Sequence, residues 1–153
     1  MATIVDSIRD LKSFVEVPLG ESDWVEVTQE RIDQFAEATG DRQWIHVDVE
    51  RAKSESSFGG TIAHGYLTIS MIPVLLAELL IVKGASTIVN AGFERVRLPA
   101  PVPAGSRVRL SAMVKHVRDM PRGGARVTMG LTVEVEGQAR AACVADAVYV
   151  YFP

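Results

Sequence analysis

A long apolar segment, from His64 to Val82, constrains the fold of this chain more than any other feature. Nearly every residue in it is hydrophobic, and Glu78 is its only carboxylate. A helix that is apolar on all sides has to be buried inside a protein. The longest apolar run, Met71–Val82, is interrupted by Pro73 and Glu78 and is too short to cross a bilayer. The segment therefore predicts a buried central helix and no membrane span.

The sequence after Gly84 alternates between apolar and polar residues, as half-buried strands do. Glycine- and proline-rich turns divide it into four long predicted strands: Thr87–Arg97, Arg107–Val117, Ala125–Val135 and Gln138–Tyr151. A shorter strand is predicted over Ser22–Val27. Consecutive strands joined by such turns favour an antiparallel meander. One buried helix followed by four long strands predicts an α+β fold, in which a curved antiparallel sheet wraps around the helix.

Composition and charge narrow the class of protein. At 153 residues the chain is long enough to bury a core as a single domain, residues 1–153. Its formal net charge of -3 gives no reason to expect nucleic acid or an anionic membrane surface as a partner. Cys143 is the only cysteine, and its apolar neighbours predict a small core residue. Residues 1–12 lack the apolar run of a signal peptide, so a cytoplasmic protein is expected.

The region before the apolar segment predicts a short helix followed by a functional loop. Thr28 is a favourable N-cap, and Gly40 is the glycine expected just past a helix C-terminus. Asp41 and His46 would then lie in the loop that leaves this helix, and Asp48 can cap a second short helix. A carboxylate and an imidazole in one loop can hold a water molecule and move its protons.

This loop resembles the hydratase motif of the MaoC-type dehydratase family, the (R)-specific enoyl-thioester hydratases with the hot-dog fold. The motif reads aromatic, short spacer, Ser/Thr-Gly-Asp, any residue, Asn-Pro, aliphatic, His. Phe35, Thr39-Gly40-Asp41 and Ile45-His46 match it. Gln43 and Trp44 replace the Asn-Pro pair, a departure that is more like the nodulation-protein-N-like branch of the family.

The resemblance continues through Ala63-His64-Gly65 and Val96–Val102, and it covers nearly the whole chain from Val25 onward. It implies a single hot-dog domain. It also implies that Asp41 and His46 together activate a water, which adds across a trans-2-enoyl thioester to give an (R)-3-hydroxyacyl thioester. The reverse reaction is a dehydration.

The resemblance also implies roles for residues around that pair. The backbone N–H of Gly65, at the start of the buried helix, would stabilise the thioester oxyanion. Tyr66 would line the acyl pocket, and Gln43 would take the place of an Asn that orients the catalytic loop. For His64 a structural hydrogen bond near the helix start is favoured over proton transfer. No metal or other cofactor is implied, because the histidines are scattered and the substrate itself arrives on coenzyme A or acyl carrier protein.

Four arginines on the predicted strands are further candidates for substrate binding. Arg95, Arg97, Arg107 and Arg109 carry the charge needed to hold the phosphates of coenzyme A or of a carrier-protein arm. Outward-facing strand positions are the simpler interpretation of several of them. The turn over Pro99–Pro103 indicates rigid backbone geometry and no chemistry.

Two other functions stay open at this point. A non-catalytic hot-dog subunit would bind an acyl thioester or stabilise an active partner, but it would be expected to lack the Asp41–His46 pair. A hot-dog thioesterase would direct its water at the carbonyl carbon, although the hydratase pattern fits the loop better. Hot-dog domains typically pair their sheets edge to edge, so the expected assembly is a homodimer.

Overall fold

Four α-helices and eight strands build the fold, and the computed structural model describes all residues from 1 to 153. The helices are α1 (Gln29–Thr39), α2 (Trp44–Val47), α3 (Val49–Glu55) and α4 (Gly65–Ala77). The strands are β1 (Thr3–Val5), β2 (Pro18–Glu21), β3 (Val25–Glu26), β4 (Leu80–Val82), β5 (Thr87–Arg97), β6 (Arg107–Asp119), β7 (Ala125–Val135) and β8 (Cys143–Phe152). Two 3₁₀ segments cover Ile8–Phe14 and Pro121–Gly123.

Helices α1 and α3 begin and end where local signals predict. The Thr28 hydroxyl accepts a hydrogen bond from the backbone N–H of Arg31, which satisfies one of the free donors at the start of α1. Gly40 ends α1 with a φ of 81°, a left-handed conformation that glycine adopts without strain. The Asp48 carboxylate caps α3 by accepting from the backbone N–H of Arg51. All three capping predictions are confirmed.

The segment between α1 and α3 contains one further helical turn, α2, and His46 lies on it. The backbone N–H groups of His46 and Asp48 donate to the carbonyls of Gln43 and Trp44. The Arg51 guanidinium lies 4.2 Å from the centre of the Trp44 ring, a cation–π contact that holds α2 against α3. The prediction of an open loop at His46 was therefore wrong, because packing between neighbouring helices stabilises a turn that capping signals do not reveal.

One antiparallel sheet contains six of the strands, in the order β2-β6-β7-β8-β5, with β3 also paired to β6. The predicted strands over β5, β6 and β7 are confirmed, and β8 begins at Cys143, five residues later than predicted. The predicted antiparallel meander is confirmed for β6, β7 and β8, but it was wrong for β5, which pairs with β8 and not with β6, the strand that follows it in sequence. Within the strand predicted over Ser22–Val27, only Val25–Glu26 (β3) forms a strand. Strand β2 lies before it in the sequence.

Helix α4 packs on one face of this sheet, and the two together form the hydrophobic core. Ile72 and Leu75 of α4 belong to one cluster with Leu110 and Met129 of the sheet, and each is at most 1% exposed. Fully burying one such side chain stabilises a protein by about 1.5–3 kcal/mol. Cys143 is also fully buried there, as predicted, and burial raises the pKa of its thiol. The α+β prediction is confirmed.

The central helix is shorter and less buried than its composition predicts. It ends at Ala77, and the following residues form β4, which pairs in parallel with β1 near the N-terminus. An apolar pattern alone does not reveal this partner, since it lies far away in sequence. Tyr66 is 74% exposed and Val74 is 63% exposed, so one face of α4 is open. None of the helices is long and apolar enough to cross a membrane.

Candidate active site

Three predicted site residues from different parts of the chain meet at the N-terminal end of α4. Asp41 follows α1, His46 lies on α2, and His64 is the N-cap residue of α4. A carboxylate oxygen of Asp41 and one ring nitrogen of each histidine lie within 4.8 Å of one another. The two imidazole rings stack, with 3.9 Å between their centres and 24° between their planes. The expectation of scattered histidines was therefore wrong for this pair.

His46 is held so that one of its ring nitrogens can accept a proton. Its Nδ1 lies 2.7 Å from the carbonyl oxygen of Ile62. Because a carbonyl only accepts, Nδ1 carries the hydrogen, and the lone pair of the neutral ring is on Nε2. Burial lowers the pKa of His46 from its ordinary value; the charge of His64 adds to this effect, whereas the Ile62 hydrogen bond and the charge of Asp41 oppose it. The neutral ring is the form that a general base requires.

His64 links the start of α4 to the segment that carries Asp41. Its Nε2 donates a hydrogen bond to the Asp41 carbonyl oxygen at 2.9 Å, and the residue is only 2% exposed. The ring of Phe35 lies against it, with 4.9 Å between ring centres. Its Nδ1 is buried and has no hydrogen-bond partner. These contacts are those of a residue that holds two chain segments together.

The Asp41 side chain is exposed, in contrast to both histidines. Two hydrogen bonds of about 2.8 Å that meet at one water oxygen span roughly 4–5 Å. The Asp41 carboxylate oxygen and the His46 ring nitrogen are at most 4.8 Å apart, a separation that one water molecule can bridge. Gln43 is also exposed, and its side chain forms no capping hydrogen bond at the start of α2.

A pocket of about 330 Å³ opens beside His46. Gly65 and Thr68 of α4 line it, and the loop over residues 98–102 forms another part of its wall. As the first residue of α4, Gly65 has no acceptor within the helix for its N–H. A Cβ placed on Gly65 would lie 2.5 Å from Cδ1 of Leu98, so any larger residue here has to displace the end of that side chain. A larger depression of about 650 Å³ lies along the sheet, and none of the predicted site residues except Arg95 lines it.

Sequence reasoning missed several parts of this site. The loop over residues 98–102 was interpreted as backbone geometry only, yet it forms a wall of the pocket that contains His46. The Ile62 carbonyl was missed because a backbone group leaves no signal in the sequence. Tyr66, predicted to line the acyl pocket, lies on the exposed face of α4 and outside the lining of this pocket.

The four candidate arginines differ in their surroundings. Arg95 and Arg109 each pair with a carboxylate on a neighbouring strand, and Arg107 pairs with Glu136, directly after β7. Arg97 forms no ion pair, and its side chain donates to the carbonyl of Val96. It ends β5 directly before the loop that walls the pocket. Of the four, Arg97 is the one whose charge is both unpaired and next to the pocket.

The geometry of the stacked histidines disfavours a shared metal ion. The lone pair of an imidazole nitrogen lies in the ring plane, so nearly parallel rings 3.9 Å apart do not direct their lone pairs to a common point. One nitrogen of each ring already lies within hydrogen-bonding distance of a carbonyl. A site that works without a metal stays a prediction, and this arrangement favours it.

Comparison with known proteins identifies the family. Residues 11–137 match the family model described as MaoC like domain. The chain belongs to the MaoC-like dehydratase family. The resemblance drawn from the Asp41–His46 motif is thereby confirmed.

Individual relatives support this assignment over nearly the full chain. The chain is 47% identical over 146 residues to 3-hydroxyacyl-thioester dehydratase Z of Mycobacterium tuberculosis, covering 95% of this chain and 96% of the relative. It is 40% identical over 141 residues to Nodulation protein N of Rhizobium leguminosarum bv. viciae, covering 92% and 88%. Among solved structures, a monoamine oxidase regulatory protein from Archaeoglobus fulgius matches with a TM-score of 0.78 and 26% identity, covering 100% and 99%. An (R)-hydratase from A. caviae matches with a TM-score of 0.67 and 23% identity, covering 85% and 92%. The predicted hot-dog fold is confirmed.

We expect His46 to make the free energy of unfolding fall in mild acid. Because burial lowers the pKa of folded His46, the unfolded chain binds a proton below about pH 6.5 that the folded chain does not bind. Stability is therefore lost as the pH falls from about 6.5 to the folded pKa. Urea unfolding at about pH 7.5 and about pH 5.5 should show a smaller loss for His46→Gln than for the unmodified protein.

The exposed His116 provides a matched control for this experiment. His116→Gln should lose as much stability between the two pH values as the unmodified protein. An equal loss in His46→Gln would show that folding does not depress proton binding at His46.

Proposed function

We propose that this chain catalyses the reversible (R)-specific hydration of trans-2-enoyl thioesters. Asp41 and His46 activate the water, and the backbone N–H of Gly65 stabilises the thioester oxyanion. The observation that carries the proposal is the meeting of these groups at one place: a carboxylate oxygen of Asp41 lies within 4.8 Å of a ring nitrogen of His46, and Gly65 lines the pocket beside His46.

The class of reaction is already set by the family. The chain is a hydro-lyase, the class to which its dehydratase and hydratase relatives belong. Beyond this class, we propose that water adds to the enoyl thioester with (R) stereochemistry and that Asp41, His46 and Gly65 carry out the reaction. The proposed substrate is an enoyl group carried on coenzyme A or on acyl carrier protein.

The proposed chemistry begins with neutral His46. Its Nε2 removes a proton from the water held by Asp41 as the water oxygen forms a bond to C3 of the enoyl thioester. The C2=C3 electron pair moves towards the thioester, and negative charge develops on the carbonyl oxygen. A proton from His46 then reaches C2, the carbonyl re-forms, and one water has been added. The charge of Asp41 stabilises the imidazolium between these two steps.

Gly65 suits the developing oxyanion for two reasons. Its N–H belongs to the first turn of α4, where free donors and the helix dipole favour a negative oxygen. It also has no Cβ that would keep the thioester away. Donors aimed at the oxyanion are commonly the largest single contribution to this type of catalysis.

The first test is hydration itself. The absorbance of the conjugated enoyl thioester should fall when the protein is mixed with crotonyl-CoA or a longer trans-2-enoyl-CoA, and a stereospecific dehydrogenase should oxidise the (R)-3-hydroxyacyl product. Asp41→Asn and His46→Gln should fold normally and lower kcat by about 10²–10⁴-fold, the range for loss of general acid–base catalysis. His116→Gln should keep full activity.

Other outcomes of this assay contradict the proposal in different ways. Release of free thiol with the enoyl band intact would identify a thioesterase. No reaction with coenzyme A or carrier-protein substrates would identify a subunit that only binds. Near-normal hydration by either site variant would show that the Asp41–His46 pair does not activate the water.

A second prediction concerns the oxyanion donor. Gly65→Ala should lower kcat strongly and leave the stability nearly unchanged, because the added methyl group meets only the end of the Leu98 side chain, which is 47% exposed. The double variant with Leu98→Ala removes that contact. If the methyl group blocks the thioester, the double variant stays inactive. Recovered activity would mean that displacement of Leu98 had caused the loss.

We also propose that two copies of the chain associate through β5. This strand is at the edge of the sheet, pairs only with β8, and has ten of its eleven residues exposed. Ile88, Val89 and Phe93 are each more than 40% exposed. An exposed apolar edge strand favours pairing with another strand. The open face of α4 lies near the same edge, since residues of α4 and β5 line one cavity. A second copy would cover both surfaces.

Phe93→Lys should convert a dimer into a monomer and reduce activity, because a charge replaces an apolar contact at this edge. Light scattering coupled to size exclusion measures the mass directly. Val17→Lys, on a side chain that is 42% exposed beside the opposite edge of the sheet, is the matched control. A Phe93→Lys protein that remains dimeric would place the interface elsewhere.

A further inference from the structure

The Gln29 side chain, in the first turn of α1, connects two segments that are distant in sequence. Its Nε2 donates a hydrogen bond to the carbonyl oxygen of His46 at 2.7 Å. Its Oε1 accepts from the Thr61 hydroxyl at 2.5 Å. Nε2 also donates to a carboxylate oxygen of Asp33 at 2.9 Å. With its oxygen and both amide hydrogens engaged, the side chain is fixed in one orientation.

The same two segments meet again at the imidazole ring of His46. Ile62 directly follows Thr61, and its carbonyl oxygen lies 2.7 Å from His46 Nδ1. The N–H of Ile62 donates to the carbonyl of Ile45 at 3.0 Å. The contacts therefore form a closed ring, from the His46 carbonyl through Gln29 and Thr61 to Ile62 and back to the His46 side chain. Moving residues 61–62 relative to α2 requires at least one of these bonds to break.

We propose that Gln29 is a positioning residue for His46. It holds the Ile62 carbonyl against Nδ1, and this contact determines that Nδ1 carries the hydrogen and Nε2 the lone pair. Without Gln29, the Thr61 hydroxyl and the His46 carbonyl each lose a partner. Residues 61–62 can then shift, and the ring populates both neutral tautomers. One of the two has no lone pair on Nε2.

The contacts of Gln29 distinguish it from the glutamine nearest to the site. Gln43 is exposed, and its side chain does not cap α2. Gln29 is half-buried and bonds to the backbone of the residue that carries the proposed base. The kinetic consequence of this inference rests on the proposed hydratase function, whereas the tautomer of His46 depends only on the hydrogen bonds.

Two substitutions separate the bonds that Gln29 makes. Gln29→Leu removes all of these hydrogen bonds while keeping a side chain of similar size. Gln29→Glu keeps an acceptor for Thr61 but places a carboxylate oxygen against the His46 carbonyl, so it does not restore the second bond. We expect either change to lower kcat by about 10- to 100-fold, with KM changed by no more than about twofold, because the base is misplaced while Gly65, Thr68 and the loop over residues 98–102 keep their places in the pocket wall. Gln34→Leu, at an exposed position of α1, should have no effect.

The decisive measurement is ¹⁵N NMR of the histidine rings, with His46→Gln used to assign the signals. The unmodified protein should show His46 with its hydrogen on Nδ1, and Gln29→Leu should show a mixture of tautomers. If Gln29→Leu lowers the melting temperature but leaves the tautomer and kcat unchanged, Gln29 is only a structural residue and the inference is wrong. If the unmodified protein has no hydratase activity but the tautomer still shifts, the proposed function fails and the positioning role stands.

Discussion

The burial of α4 against the sheet is the constraint on which the site depends. Because Ile72 and Leu75 are packed into the core, the start of α4 is fixed relative to the sheet. This places His64 next to the Asp41 segment and Gly65 at the edge of the pocket. Free N–H groups at a helix start need an acceptor when they are shielded from water. In the proposed function a thioester oxygen supplies that acceptor, and the apolar packing that stabilises the fold would then also direct a donor towards the substrate.

The environments of Asp41 and His46 differ, and the roles that we propose for the two residues rest on this difference. His46 is buried, and its Nδ1 lies against a carbonyl, so its neutral form is favoured and its lone pair has one direction. Asp41 is exposed, and its charge favours the protonated state of the nearby ring. A buried neutral imidazole suits proton removal. An exposed carboxylate suits holding the water and stabilising the charge that the imidazole then gains.

Sequence signals predicted the elements that local contacts determine. Thr28 and Asp48 cap helices by bonds to a backbone N–H three positions later, and Gly40 ends a helix through its own φ. The structure confirms each of them. Features that depend on distant partners were not predicted: strand β4, which forms because β1 pairs with it, and the pairing of β5 with β8. Alternation of apolar residues indicates that a strand is half-buried, but it carries no information about which strand lies next to it.

The same difference between local and distant contacts explains which residues of the site could be predicted. Asp41 and His46 were found because a compact motif keeps them five positions apart. Gln29 lies seventeen positions before His46, where a glutamine in the first turn of a helix has the pattern of an ordinary surface residue. Ile62 acts through its carbonyl, which every residue has. The motif departs from its family at Gln43, the position expected to orient the loop. The departure does not disorder His46, because its ring and its carbonyl are held by Ile62 and Gln29, outside the motif, and Gln43 contributes only its backbone carbonyl.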